Sequence, residues 1–311
     1  MTSLVIDKGL DGRKADVLSY FNHRAKEALS QIKQEFGQTQ FKERANAINQ
    51  ALGDEKERVL SQLRQIAARE HWTNAEILPK ILLITHCVNV VMICGRNSVW
   101  PYEYMTFSRR IGELWEPFCN LCFEYPPRND VSLFIPPLFN DVKKRLTAEI
   151  REFIQGLPLS AEQKASLNRY YEQVWSLVTS GEIKLALDLH FKIGDVRYVI
   201  DFKSGFSSNE KGNTNRLLLV ASVFKNIEPE DYKCVILVRS EELENNHYLQ
   251  TLKRSGLWEV YCGTQAYEKI HEYAGFDLKT WIERNIAWTE DLDKESHEFL
   301  TAENLVRYLT W

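Results

Sequence analysis

Hydrophobic and polar residues alternate strictly in one place, between Glu182 and Phe206. Ile183, Leu185, Leu187, Leu189 and Phe191 take every second position, and after Gly194-Asp195 so do Val196, Tyr198, Ile200 and Phe202. A period of two belongs to half-buried strands. Two such runs joined by two residues, the first a glycine, predict an antiparallel hairpin with a type II′ turn. Most of the remaining chain carries helical spacing. Apolar residues recur so over 14–36, which Gly37 stops, and over Phe41–Leu52 and Asp54–His71, the latter with Asp54 as cap. From Asn74, expected as the next cap, the stretch Ile77–Cys94 is apolar on every side apart from Pro79, which marks a buried helix. Further helices are expected from Ser108, over Leu138–Gln155, from the Ser160 cap over Ala161 to Ser180, from Thr214 or Asn215 to Phe224, over Gln265–Tyr273 and Leu278–Asn285, and at Ala302–Leu309. Tyr232–Arg239 is nearly continuous in apolar residues, as a central strand is, and Trp258–Cys262 reads as another.

The turn fixes the register. With Ile193 opposite Val196, Asp188 falls opposite Asp201, where facing Cβ atoms lie ~4.5–5.5 Å apart. Lys203, two positions on, shares that face. Like charges directly opposite each other are unfavourable, and a divalent cation between them removes the conflict. Two carboxylates with waters suit Mg²⁺. A hairpin face carrying solvated charges is the plainer alternative.

Asp188, a short hairpin and then Asp201-Phe202-Lys203 resembles the catalytic signature of the PD-(D/E)XK nucleases, the superfamily of most type II restriction endonucleases. Leu187 stands where that signature often has proline. The resemblance implies an α/β (α+β) fold: a restriction-endonuclease-like core with a mixed central sheet flanked by helices, here preceded by a helical N-terminal region. It implies Asp188, Asp201 and the Phe202 carbonyl as Mg²⁺ ligands, and Lys203 as the cation facing water or phosphate. A second stretch, Ser108-Arg109-Arg110-Ile111-Gly112-Glu113-Leu114-Trp115-Glu116, is similar to the helix that precedes the catalytic hairpin in many of these enzymes. There a glutamate completes the acidic cluster, which nominates Glu116, with Glu113 and Glu172 as alternatives. Arg109 and Arg110 would meet phosphate, which the planar guanidinium grips bidentately. Equally, they are partners of the two glutamates at i,i+3 and i,i+4 spacing on an ordinary amphipathic helix.

The polar loop 204–215 leaves the end of the second hairpin strand. Lys211 and Arg216 are candidate phosphate contacts, and Asn209, Asn213 and Asn215 carry amides able to read base edges or to cap a helix. A mobile surface loop is the alternative for each.

Composition changes little. The chain has 311 residues, 44% hydrophobic and 26% charged, with a net charge of −4, which argues against a purely electrostatic nucleic-acid coat protein and leaves a metal-dependent nuclease open. Six cysteines include Cys119-x-x-Cys122 with no second pair to complete a zinc site, so buried free thiols are expected. No apolar run reaches the ~18 residues of a membrane span, and the first residues are no signal peptide, so a cytoplasmic protein without a membrane partner is expected. The expected organisation is a helical region over 1–95, a catalytic core over 96–290 and a helical tail over 291–311. The expected activity is that of a Mg²⁺-dependent type II restriction enzyme, a homodimer cutting double-stranded DNA at a specific site. A repair, junction-resolving or RNA-directed nuclease of the same superfamily is an alternative, and so is a non-catalytic DNA-binding or scaffold protein.

Overall fold

The computed structural model describes residues 4–178, 183–207, 210–228 and 231–311. Its chain forms two compact units, one of residues 1–131 with 263–311 and one of residues 132–262. These bounds differ from the three segments expected above, because the C-terminal helices return to the N-terminal region.

The first unit is helical. α1 (Lys14–Glu35) and α2 (Phe41–Arg69) pack against α3 (Asn74–Val99). α4 (Tyr104–Glu124) also packs on α3. Ile81, Ile84, Cys87, Val88 and Val91 of α3 join the core with α1 and α2. Val90, Ile93 and Cys94 join a second core with Phe107 and Ile111 of α4 and with the chain's last segment. That is why α3 is apolar all round. By length and composition alone α3 could cross a membrane, but 89% of its apolar window is buried inside the protein, and the core helix of a soluble protein meets the same description.

Local chemistry sets several boundaries differently from expectation. α2 runs through Gly53 without a break, so Asp54 caps nothing. Leu52, Val59, Leu60 and Leu63 form one buried face, whose packing outweighs the ~1 kcal/mol that a mid-helix glycine costs. The cap of α3 is Thr73 rather than Asn74: its hydroxyl and Glu76 form a capping box, with the Thr73 amide donating to Glu76 Oε2 at 2.8 Å. α4 starts at Tyr104 after a Glu103–Thr106 box, which leaves Ser108 inside the helix.

The second unit holds the sheet. Among the described residues it has five strands in sequential order: β1 (Val131–Leu133, whose first residue belongs to the first unit), β2 (Leu189–Ile193), β3 (Val196–Lys203), β4 (Tyr232–Val238) and β5 (Glu259–Cys262). β2 and β3 are antiparallel, while β3–β4 and β4–β5 are parallel, so the sheet is mixed as expected. α5 (Phe139–Gly156) and α6 (Ala161–Val178) precede β2. Ser160 caps α6 as expected, its Oγ accepting from the Gln163 amide at 3.2 Å. α7 (Lys211–Asn226) connects β3 to β4, and α8 (His247–Arg254) connects β4 to β5. α7 begins at Lys211, ahead of the expected Thr214 or Asn215. Val199, Cys234, Ile236 and Val238 share one core with Leu217, Val220 and Phe224 of α7 and with Leu249 and Leu252 of α8.

After β5 the chain rejoins the first unit as α9 (Thr264–Ala274), α10 (Leu278–Asn285), α11 (Trp288–Asp291) and α12 (Lys294–Ala302). α12 is capped by Asp293, whose Oδ1 accepts from the Ser296 amide at 2.7 Å, so the α-helix of the tail ends at Ala302, and within the expected Ala302–Leu309 stretch only a short 3-10 turn, Val306–Tyr308, follows. All six cysteines are buried and in no disulfide, Cys119 and Cys122 included.

Candidate functional site

The hairpin has the expected register, with Ile193 opposite Val196 and Leu189 opposite Ile200. Gly194 has φ +58° and no positive φ follows at Asp195, which is the type II′ pattern. The ladder thins at its open end, so Asp188 lies one residue before β2. It still faces β3: its Oδ2 accepts from the Phe202 amide at 2.7 Å. The carboxylate thus takes the place of a backbone acceptor on β3, and Asp188 is held by geometry as well as by charge.

Asp201 is fully buried in β3. The Lys203 ammonium stands 2.5 Å from its Oδ2, and the Arg216 guanidinium 3.6 Å from its Oδ1. Arg216 comes from α7, which packs on the face of β3 that carries Val199 and therefore Asp201. Arg216 stands beyond hydrogen-bond distance, so the Lys203 ammonium is the close partner of the buried Asp201 carboxylate among the described residues. Burial pushes the Asp201 carboxyl up to about 6, nearby Asp188 pushes the same way, and Lys203 and Arg216 oppose both. Lys203 also donates to the Phe202 carbonyl at 3.2 Å.

The loops at the carboxyl ends of β3 and β4 lie side by side. Arg239 and Ser240 donate backbone hydrogen bonds to the Lys203 and Ser204 carbonyls at 2.8 and 3.2 Å. Asn245 Oδ1 accepts from the Phe206 amide at 2.7 Å and from Ser240 Oγ at 3.2 Å. Gly205 fits closely there: a Cβ on it would lie 2.9 Å from Ser240 Oγ, which would have to turn away. The acidic pair therefore sits at the carboxyl end of parallel strands, where sheets of this kind bind ligands.

Two of these residues carry no signal in the sequence. Asn245 is one. His190, in β2, is the other: it is buried, and its Nε2 accepts from the Leu187 amide at 2.9 Å, which shapes the bend in front of Asp188. The donor places the ring proton on Nδ1. Burial holds this imidazole down at about 4. The period-two pattern alone reads His190 as an outward polar position.

The remaining candidates are distributed as follows. Asn213 is half-buried, donates to Glu210 Oε2 at 3.0 Å and accepts from Arg216 at 3.4 Å, which braces the arginine. Lys211 and Asn215 are exposed on the first turns of α7. Asn209 lies outside the described residues. On α4, Arg109 donates to Glu113 Oε1 at 2.6 Å, the ordinary i,i+4 helix pair. Glu172 pairs with Arg151 at 2.8 Å. Glu116 is half-buried on α4, in the other unit. Among the described residues no group of three or more His, Cys, Asp or Glu side chains comes together to hold a metal.

The donor set nevertheless suits a hard cation. It is made of oxygens: two carboxylates and a backbone carbonyl, with the Asp201 carboxylate buried. No known protein family, curated protein or solved structure matches this chain.

Proposed function

We propose that this protein is a Mg²⁺-dependent nuclease of the PD-(D/E)XK kind, with a restriction-endonuclease-like core, acting on double-stranded DNA. The observation that carries the reading is the Asp201 carboxylate: fully buried at the end of a parallel strand, beside Asp188, and flanked by Lys203 and Arg216. Burying a carboxylate beside a second carboxylate is unfavourable, and such perturbed groups cluster at functional sites. Asp188, Asp201 and the Phe202 carbonyl would hold Mg²⁺, which supplies an activated water and polarises a phosphoryl oxygen. Lys203 and Arg216 stabilise negative charge developing on the phosphate. The Phe202 amide and the His190-held bend keep Asp188 oriented. Cutting both strands at one site requires two such centres, hence a homodimer.

The test is a digest of plasmid and phage DNA in Mg²⁺ and in EDTA. Discrete fragments with Mg²⁺ and none with EDTA are expected. Asp188→Ala, Asp201→Ala and Lys203→Ala should each lower the rate by about 100-fold or more while leaving DNA binding in place. Undiminished cleavage by Asp201→Ala would refute the assignment. Preferential cutting of branched DNA or of RNA would move the protein to the resolvase, repair or RNA-directed branches. One observation favours a non-catalytic hairpin instead: Lys203 already balances the Asp201 charge. On that reading Mg²⁺ leaves the thermal midpoint unchanged.

A further inference from the structure

The second unit carries a cleft of about 570 Å³ lined by residues 135–140, Lys143 and residues 183–186. That volume is within the range of small-ligand sites. Two of its lining residues, Phe139 and Leu185, are buried and belong to the core that the sheet shares with α7 and α8. Two others are apolar and exposed to water: Ile135 at 94% and Leu138 at 70%. Pro136 and Pro137 keep them so. Each proline fixes its own φ and holds the residue before it extended, and the segment cannot coil to turn those side chains inward. Exposed apolar side chains gathered at a cleft, rather than scattered singly, mark a binding site.

Charge supplies the other half of the ligand. No Asp or Glu lines the cleft, while Lys143 and Lys184 do. Lys184 is exposed, and the Lys143 ammonium lies 5.5 Å from the Trp175 ring centre. Among the described residues neither lysine has a carboxylate within ion-pair distance. The next basic residues along α5 each have one: Lys144 is 3.8 Å from Asp141, and Arg151 is 2.8 Å from Glu172. The unbalanced positive charge is therefore concentrated at the cleft rather than spread along the helix. An anion at these ammonium groups gains charge-assisted hydrogen bonds. A neutral apolar ligand would cover them without giving them a partner, and a cation would be repelled.

We infer that this cleft binds a small amphipathic anion, an aliphatic or aromatic chain that ends in a carboxylate or a phosphate. The chain lies against Ile135, Leu138, Phe139 and Leu185, and the anionic end meets Lys143 and Lys184. The inference goes beyond the proposed nuclease activity and does not rest on it, since binding needs neither Mg²⁺ nor Asp201.

The test is a titration of the full-length protein, in EDTA, with octanoate and, separately, octyl phosphate, followed through the methyl NMR signals of Ile135, Leu138 and Ile183. Octylammonium is the control for charge, and acetate and inorganic phosphate are the controls for the chain. Saturable shifts are expected with at least one of the two octyl anions and with none of the controls, and the tighter anion identifies the head group. Lys143→Gln combined with Lys184→Gln should weaken binding about 10-fold or more. Lys192→Gln, at an exposed lysine of β2 outside the cleft, should leave it unchanged. Leu138→Asp should abolish binding while keeping or raising the thermal midpoint, because residue 138 is the cap of α5, where aspartate is favoured. The absence of saturable shifts in the parent would overturn the inference, as would octylammonium binding as tightly as the anions, or binding that survives the double lysine substitution. Methyl shifts that follow protein concentration with no ligand added, and vanish in Leu138→Asp, would put a second copy of the chain in the cleft and overturn it as well.

Discussion

Asp188 is a structural acceptor as well as a candidate ligand, and the two roles separate by substitution. Asp188→Ala leaves the buried Phe202 amide without its partner, a loss of about 1–3 kcal/mol. Asp188→Asn keeps an acceptor oxygen and should retain most of that stability while still impairing cleavage. Urea unfolding of the two variants measures the difference, and equal stabilities would show that the Phe202 hydrogen bond is not what holds Asp188. A second residue-scale prediction concerns His86. The ring is buried against Trp288, and its Nε2 lies 2.7 Å from Asp291 Oδ2, while Lys14 sits 2.8 Å from Asp291 Oδ1. Burial holds the His86 ring below its ordinary value despite Asp291, and Lys14 adds to the effect. Burial pushes Asp291 up, but His86 and Lys14 more than reverse it. Both groups are depressed in the folded state. The stability from neutral His86 is therefore complete above its unfolded value of about 6.5 and is lost as the pH falls below it. His86→Gln should flatten stability against pH in that window, as read by denaturant unfolding at a series of pH values. An unchanged slope would remove His86 from the account.

At the scale of elements, the hairpin was legible because every determinant is local. Period-two alternation, Gly194 at the turn and the register that follows from it all lie within about twenty residues. α10 was legible for a similar reason, since Asp277 caps it and a short apolar face follows. α2 was not. Gly53-Asp54 reads as a stop and a cap, and only the packing of α2 along α1 and α3 makes it one helix. Gly53→Ala tests that continuity. A Cβ there meets only Met92 Cε at 3.8 Å, so the substitution should stabilise the protein by roughly 0.5–1 kcal/mol. Destabilisation on thermal unfolding would mean that the backbone at Gly53 is not helical.

At the scale of the molecule, the first unit closes only when the last segment returns. Trp288 packs on His86 and Trp311, Trp311 packs on Phe118, and Leu292, Leu300 and Leu305 cover Val90 and Ile93 of α3. Trp288→Ala should cost about 3–5 kcal/mol, and a chain ending at Cys262 should lose the fold of the first unit while the second, which is intact in it, still unfolds cooperatively. A shortened chain that keeps the parent's full helical circular dichroism and thermal midpoint would contradict the two-unit division.

From the residues alone came the mixed α/β character, the hairpin with its facing acids and Lys203, the buried nature of α3 and the buried thiols. Each follows from periodicity, turn chemistry or composition, which act over short stretches. Tertiary structure alone decided that Arg216 meets Asp201, that His190 and Asn245 brace the hairpin and its neighbouring loop, and that α9–α12 belong with the N-terminal helices. Those facts depend on which distant surfaces bury each other, and hydrophobic burial carries no direction that a local pattern records.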